Sequence, residues 1–165
     1  MKIGTILFTS LLFLVFTPLF ISADEQAGLS NGQTIYVPAY SHIYSGNRER
    51  IFQLTITLSV RNIDMRNPIN ITSIEYQSQQ HLLKKLLEAP TILNSLESKR
   101  FIIPQSEEKG GSGAYFIVQW KSDQLVNSPI VESIMIGTQN QQGISFTSRG
   151  RAINQQENSR SAPLK

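Results

Sequence analysis

The chain has 165 residues, with 15 Lys+Arg against 12 Asp+Glu, two His and no Cys. The length suits one domain, and the lack of cysteine excludes a disulfide scaffold, a zinc ribbon, an iron–sulfur site and thiol chemistry. A formal net charge of +3 is too small for a protein held to DNA by many phosphate contacts, so no nucleic acid is expected as a partner.

Lys2 is followed by an uncharged apolar run from Ile6 to Ile21 (ILFTSLLFLVFTPLFI), and Ser22-Ala23 offers small residues ahead of Asp24-Glu25. Residues 1–23 therefore read as a secretory signal peptide cut after Ala23. The run is shorter than the roughly 20 apolar residues that span a bilayer. Ile21, three positions before the cut, is larger than usual there, which leaves an uncleaved anchor as the alternative. The expected location is periplasmic or extracellular, with membrane attachment only if this segment is retained. Residues 24–32 are polar and read as a flexible lead-in, residues 33–153 as the domain, and residues 154–165 (NQQENSRSAPLK) as a disordered tail.

Within the domain, Thr34–Gly46 (TIYVPAYSHIYSG) is the most unusual stretch. Tyr36, Tyr40, His42 and Tyr44 share even parity, and Pro38 encourages extended geometry. On an extended chain the four project to one side, as flat rings with polar tips suited to a sugar, a peptide or a partner surface. In Ile51–Arg61 (IFQLTITLSVR), Phe52, Leu54, Ile56, Leu58 and Val60 share one face and polar residues the other, the pattern of a half-buried strand. Asn62–Pro68 reads as a turn. Ile69 and Ile71 share one parity but Ile74 and Tyr76 the other, which predicts a bulge or bend near Thr72-Ser73.

His81–Leu87 (HLLKKLL) fits either one helical turn or a strand; the shortness of such a helix favours the strand. Thr91–Ile103 reads as a loop and then a strand at Lys99–Ile103. Gly110–Gly113 lacks the Gly-Lys-Ser/Thr continuation of a phosphate loop and reads as a flexible lead into the next strand. Tyr115–Trp120 is apolar on both faces and reads as a central strand, as does Ile130–Ile136, while Ile144–Arg149 alternates again. Seven or eight strands with frequent turns predict an all-β antiparallel sandwich, immunoglobulin-like in architecture.

Catalytic signals are sparse. Ser145 and Ser148 lie in an alternating strand pattern that lacks the second glycine of a nucleophile elbow. His42 and His81 have no metal-ligand spacing, so no metal or cofactor is expected. Glu132 shares parity with Ile130, Ile134 and Ile136. Either Val131, Ser133 and Met135 face the core, or Glu132 pairs with Arg149 on a neighbouring strand.

Five segments taken together, Tyr36–Tyr44 (YVPAYSHIY), Leu54–Asn62 (LTITLSVRN), Gly111–Trp120 (GSGAYFIVQW), Pro129–Thr138 (PIVESIMIGT) and Gly143–Arg151 (GISFTSRGR), resemble a bacterial family catalogued as domain of unknown function 3124. The resemblance runs from about Gln33 to Ile153. It implies an exported bacterial domain and carries over no catalytic or binding residue. The expected role is a non-catalytic binding or interaction module of the cell envelope, with a protein, peptide or glycan as partner. The alternatives are a hydrolase or metal-dependent enzyme centred on His42, and a structural subunit of an envelope complex.

Overall fold

The computed structural model describes residues 28–46, 50–79, 81–139 and 141–153. Residues 1–23, read as a signal peptide, residues 24–27 of the stretch read as a lead-in, and residues 154–165, read as a tail, lie outside them. In chain order the strands are β1 (Leu29–Pro38), β2 (His42–Ser45), β3 (Arg50–Gln53), β4 (Thr55–Arg61), β5 (Ile69–Ser78) and β6 (His81–Lys85). There follow β7 (Thr91–Leu93), β8 (Ser98–Ile103), β9 (Ala114–Asn127), β10 (Ile130–Gln139), β11 (Gln142–Arg149) and β12 (Arg151–Ile153). Of these twelve, the eight with five or more residues correspond to the seven or eight expected. The rest are pieces of three or four residues.

One sheet runs β12-β1-β9-β5-β6, with β7 also on β5; the second runs β11-β10-β4-β8; β2 and β3 form a separate hairpin. Every pairing is antiparallel. Alternation decides which side chains meet between the sheets. Ile35, Val37, Ile74, Tyr76, Phe116 and Val118 come from the first, and Ile56, Leu58, Val60, Val131 and Met135 from the second, all in one buried cluster. Buried Ser133 donates its hydroxyl to the Pro38 carbonyl and so ties the sheets directly. The protein is an all-β antiparallel sandwich. Among the described residues no helix is long and apolar enough to cross a membrane.

The bulge lies where the parity switch put it. The register of β5 on β9 shifts between Ile71 and Ser73, which lets Ile69, Ile71, Ile74 and Tyr76 all turn inward. His81–Lys85 is a strand. The Ile51–Arg61 run does bury all five of its alternating apolar residues, but it divides at Leu54. The Leu54 N–H leaves the ladder to donate to the Ser41 carbonyl at 2.8 Å, so the chain pairs with β2 before it and with β10 and β8 after it. β1 begins at Leu29, inside the stretch read as lead-in, because a register shift between Ser30 and Gly32 lets it pair with β9 as far as Asn127.

β1 runs from a lower end at Leu29 to an upper end at Pro38. The lower end is knotted by the 62–68 loop. Buried Asn62 donates from Nδ2 to the carbonyls of Asn67, Leu93 and Asn94 at 2.9, 3.2 and 2.9 Å. Asp64 accepts from the N–H groups of Arg66 (3.0 Å), Asn67 (2.8 Å) and Asn127 (3.1 Å), and from the side-chain amides of Asn67 and Asn127. Removing a hydrogen-bonding group that leaves buried partners unpaired costs about 1–3 kcal/mol. Asn62→Ala is therefore expected to lower the urea unfolding free energy by about 3 kcal/mol, and a loss below about 1 kcal/mol would contradict this role.

The same network holds the Asp64 carboxyl at a pKa of about 2, below its ordinary 3.8, with the backbone hydrogen bond from Arg66 the largest cause. A depressed pKa contributes stability that is complete above the ordinary carboxyl range and lost as pH falls through the folded value. The urea midpoint should fall between about pH 4 and pH 2, and Asp64→Asn should flatten that decline. An Asp64→Asn profile parallel to wild type would count against it.

Candidate functional site

Ile35, Val37, Ala39 and Ser41 take the inward positions, which leaves Tyr36, His42 and Tyr44 outside the core, while Tyr40, between β1 and β2, packs against its edge. The four rings do not form one row. Tyr36 stacks on Tyr115 with centroids 4.9 Å apart and planes at 29°. Tyr40 lies 5.8 Å from Phe146 of β11. Only His42 and Tyr44 remain together, edge to face at 5.3 Å. The chain leaves the first sheet after Pro38 and bends at Ser41, and that bend separates the rings.

The bend is pinned from across the fold. The Ser41 hydroxyl accepts from the Gly111 N–H at 2.7 Å, and the Ser41 N–H donates to the Gly111 carbonyl at 3.0 Å. Gly111 sits in a 3-10 stretch over Glu108–Gly113, with φ +67° and ψ −165°, backbone that only glycine adopts at little cost. The Ser78 hydroxyl donates to the Gly110 carbonyl at 2.8 Å. Gly110 is packed so closely on Tyr76 that a Cβ there would overlap the phenol oxygen. Burial is the main cause that pushes the Tyr76 hydroxyl up to about 12, with Glu107 adding to it. The glycine run that read as flexible is thus an ordered wall.

Between this wall and the strand ends lies a pocket of about 360 Å³. Its lining includes His42, Tyr44, Ser78, His81, Lys109 and Gly110–Gly113. Antiparallel pairing brings both histidines of the chain to the upper end, since His42 opens β2 and His81 opens β6. Among the lining residues, His42 carries a buried ring nitrogen, Nε2, that no protein group hydrogen-bonds. Buried polar atoms are ordinarily paired, so an unpartnered imidazole nitrogen in a pocket lined by a second histidine and a lysine marks it for a polar ligand. No carboxylate lines the pocket. Among the described residues no group of three or more His, Cys, Asp or Glu side chains is placed to hold a metal ion.

A wider groove of about 520 Å³ runs beside Gly32–Thr34, Gln119, Trp120 and β12, but no titratable side chain lines it. The histidine pocket is the better site on chemical grounds. His81, Lys109 and the glycine wall were not legible as site residues, because their meeting depends on the β5–β6 hairpin and on the Ser41–Gly111 clasp.

The second sheet corrects one pairing. Val131, Ser133 and Met135 face the core, and register places Arg149 directly opposite Glu132. The carboxylate nevertheless pairs with Arg61, from the strand on its other side, at 3.3 Å. Arg61 is already oriented by its Nε–H, which donates to Ser59 Oγ at 3.2 Å. With Arg61 half-exposed, an ion pair of this kind contributes little. Glu132→Gln should therefore change stability by less than about 0.5 kcal/mol, and a loss above 1.5 kcal/mol would show that the pair matters.

No curated protein matches the chain significantly. A solved structure described as the crystal structure of Thermotoga maritima 1070 superposes with a TM-score of 0.45 and 11% sequence identity, covering 74% of this chain and 96% of that one. The model of a family described as protein of unknown function (DUF3124) matches residues 32–153, and the chain belongs to that family.

Proposed function

We propose that the protein is an exported, non-catalytic binding module and that the His42–Tyr44–His81 pocket takes a saccharide. The convergence of both histidines on one pocket, His42 with a buried and unpartnered Nε2, carries this reading. Tyr44 is 56% exposed and offers a ring face to the C–H side of a sugar, while Lys109, Ser78 and the backbone of the glycine wall suit its hydroxyls. Calorimetric titration with maltose, cellobiose and chitobiose is expected to give saturable binding of at least one. Tyr44→Ala should weaken that binding about tenfold, roughly 1.4 kcal/mol, with the melting temperature unchanged within a few degrees. Tyr36→Ala should leave affinity intact, because that ring packs on Tyr115 outside the pocket. Equal losses from the two substitutions, or no binding of any of the three sugars, would overturn the reading.

A second reading, a hydrolase centred on His42, draws on His81 and Lys109 in the same pocket. One imidazole would accept a proton, the other would donate one, and the ammonium would face developing negative charge. It requires hydrolysis of a chromogenic phosphodiester or glycoside that is abolished by His42→Ala and by His81→Ala separately.

A further inference from the structure

The end of the sandwich opposite the histidine pocket carries an unusual surface. The five most exposed large apolar side chains among the described residues are Met65 (77%), Leu96 (65%), Ile92 and Leu125 (62% each) and Leu29 (61%). All five lie at the lower end, each on a different segment. Leu29 starts β1 opposite Asn127, and Leu125 lies two residues before that pair. Ile92 of β7 pairs with Asn70 beside the start of β5. The Ser95 hydroxyl donates to the Met65 carbonyl at 3.1 Å and holds the Leu96 turn against the 62–68 loop. The Asp64–Asn127 hydrogen bonds at 3.1 and 3.3 Å hold that loop against the end of β9. The tips are therefore fixed relative to one another and solvent-facing.

Scattered exposed apolar residues need no explanation, but a set gathered at one end of a domain marks an interaction surface. The chain itself points to what covers it. Retained as an anchor, the alternative to cleavage after Ala23 and the one taken here, the uncharged run Ile6–Ile21 is joined through the seven residues 22–28 to Leu29 of β1, at this same end. Fully extended, those seven residues reach about 25 Å. Around the same end Arg61 is paired with Glu132, while exposed Arg66, Lys99, Arg100 and Lys121 stand against exposed Glu97 and Asp123 and the Asp64 carboxylate. Apolar tips rimmed by an excess of bases suit an interface of acyl chains and anionic headgroups.

We propose that the lower end docks on an anionic lipid bilayer, with Met65, Leu96 and Leu125 entering the headgroup–acyl boundary. The domain then stands with its histidine pocket facing away from the membrane. This inference does not depend on the saccharide reading, since it concerns the opposite end of the sandwich.

The chain has no cysteine, so single spin labels can be placed cleanly. The full 165-residue chain, reconstituted in nanodiscs of phosphatidylethanolamine and phosphatidylglycerol, would be labelled at Met65→Cys, Leu96→Cys and, as the upper-end reference, Gln142→Cys. These are exposed positions, so the fold should tolerate each label. At 65 and 96, collisions with oxygen should rise about twofold over position 142, and collisions with a water-soluble nickel chelate should fall correspondingly. Replacing the anionic lipid by phosphatidylcholine should weaken both effects. Water-like accessibility at all three positions would overturn the proposal. So would shielding of 65 and 96 from both reagents, which would mean that protein covers this end.

Discussion

Valine in place of Gly110 is expected to lower affinity in the histidine pocket at least about 100-fold while the strand framework still folds. A Cβ at this position overlaps the Tyr76 hydroxyl and comes within 2.8 Å of Tyr76 Cζ. Tyr76 has no room to retreat, because it is fully buried with its ring centroid 5.1 Å from that of Phe116. The glycine wall must therefore lift. Doing so breaks the Ser78 hydrogen bond to the Gly110 carbonyl and pulls Gly111 from Ser41. Overpacking of this kind costs about 1–3 kcal/mol, which most domains survive. Calorimetric titration with the bound saccharide and a far-ultraviolet spectrum would check both halves. Wild-type affinity in this variant would show that the wall takes no part in binding.

Phe116→Ala is expected to have the largest effect on folding, a loss of about 4 kcal/mol in urea unfolding. Phe116 is fully buried on β9, between β1 and β5 in the first sheet, and packs against Tyr76. Truncation removes the transfer free energy of the ring and leaves a cavity that close-packed neighbours fill only in part. A loss of this size is a large share of the roughly 5–15 kcal/mol that stabilises a typical domain. The neighbouring Ile117 lies half-buried on the outer face, and Ile117→Ala should cost less than about 1.5 kcal/mol. Similar losses at the two positions would contradict the inward–outward assignment of β9.

These two residues also show what the sequence discloses. Side chains in a strand alternate, so wherever one face is buried the parity of apolar residues names it. That is why the inward set of Ile51–Arg61 and the bulge at Thr72-Ser73 were readable from the chain. The interruption at Leu54 was not, since it depends on the Ser41 carbonyl, which the chain brings back from earlier in the sequence. The three-residue strands β7 and β12 owe their existence to long-range pairing, with β5 and β1 respectively, and carry no periodicity of their own.

The site divides in the same way. Parity puts Tyr36, Tyr40, His42 and Tyr44 on one side, and Tyr40 departs from it by packing against the edge of the core. Parity gave no sign of the bend at Ser41, which leaves His42 and Tyr44 in the pocket and sends Tyr36 and Tyr40 to other partners. His81 reaches the pocket through topology alone. The crowding that demands glycine at 110 comes from a tyrosine on another strand. At Glu132 apolar residues on both parities left its face open; burial of Val131, Ser133 and Met135 turns it outward, where Arg61 rather than Arg149 holds its carboxylate.

The central claim is that His42 and His81 wall one ligand pocket. Because the chain holds only two histidines, a histidine-labelled sample should give two imidazole signals that report on that claim without interference. During titration with the saccharide that binds, both signals should move together along a single saturation curve, and Gly110→Val should abolish both responses. Movement of one imidazole alone, or two curves with different midpoints, would contradict it.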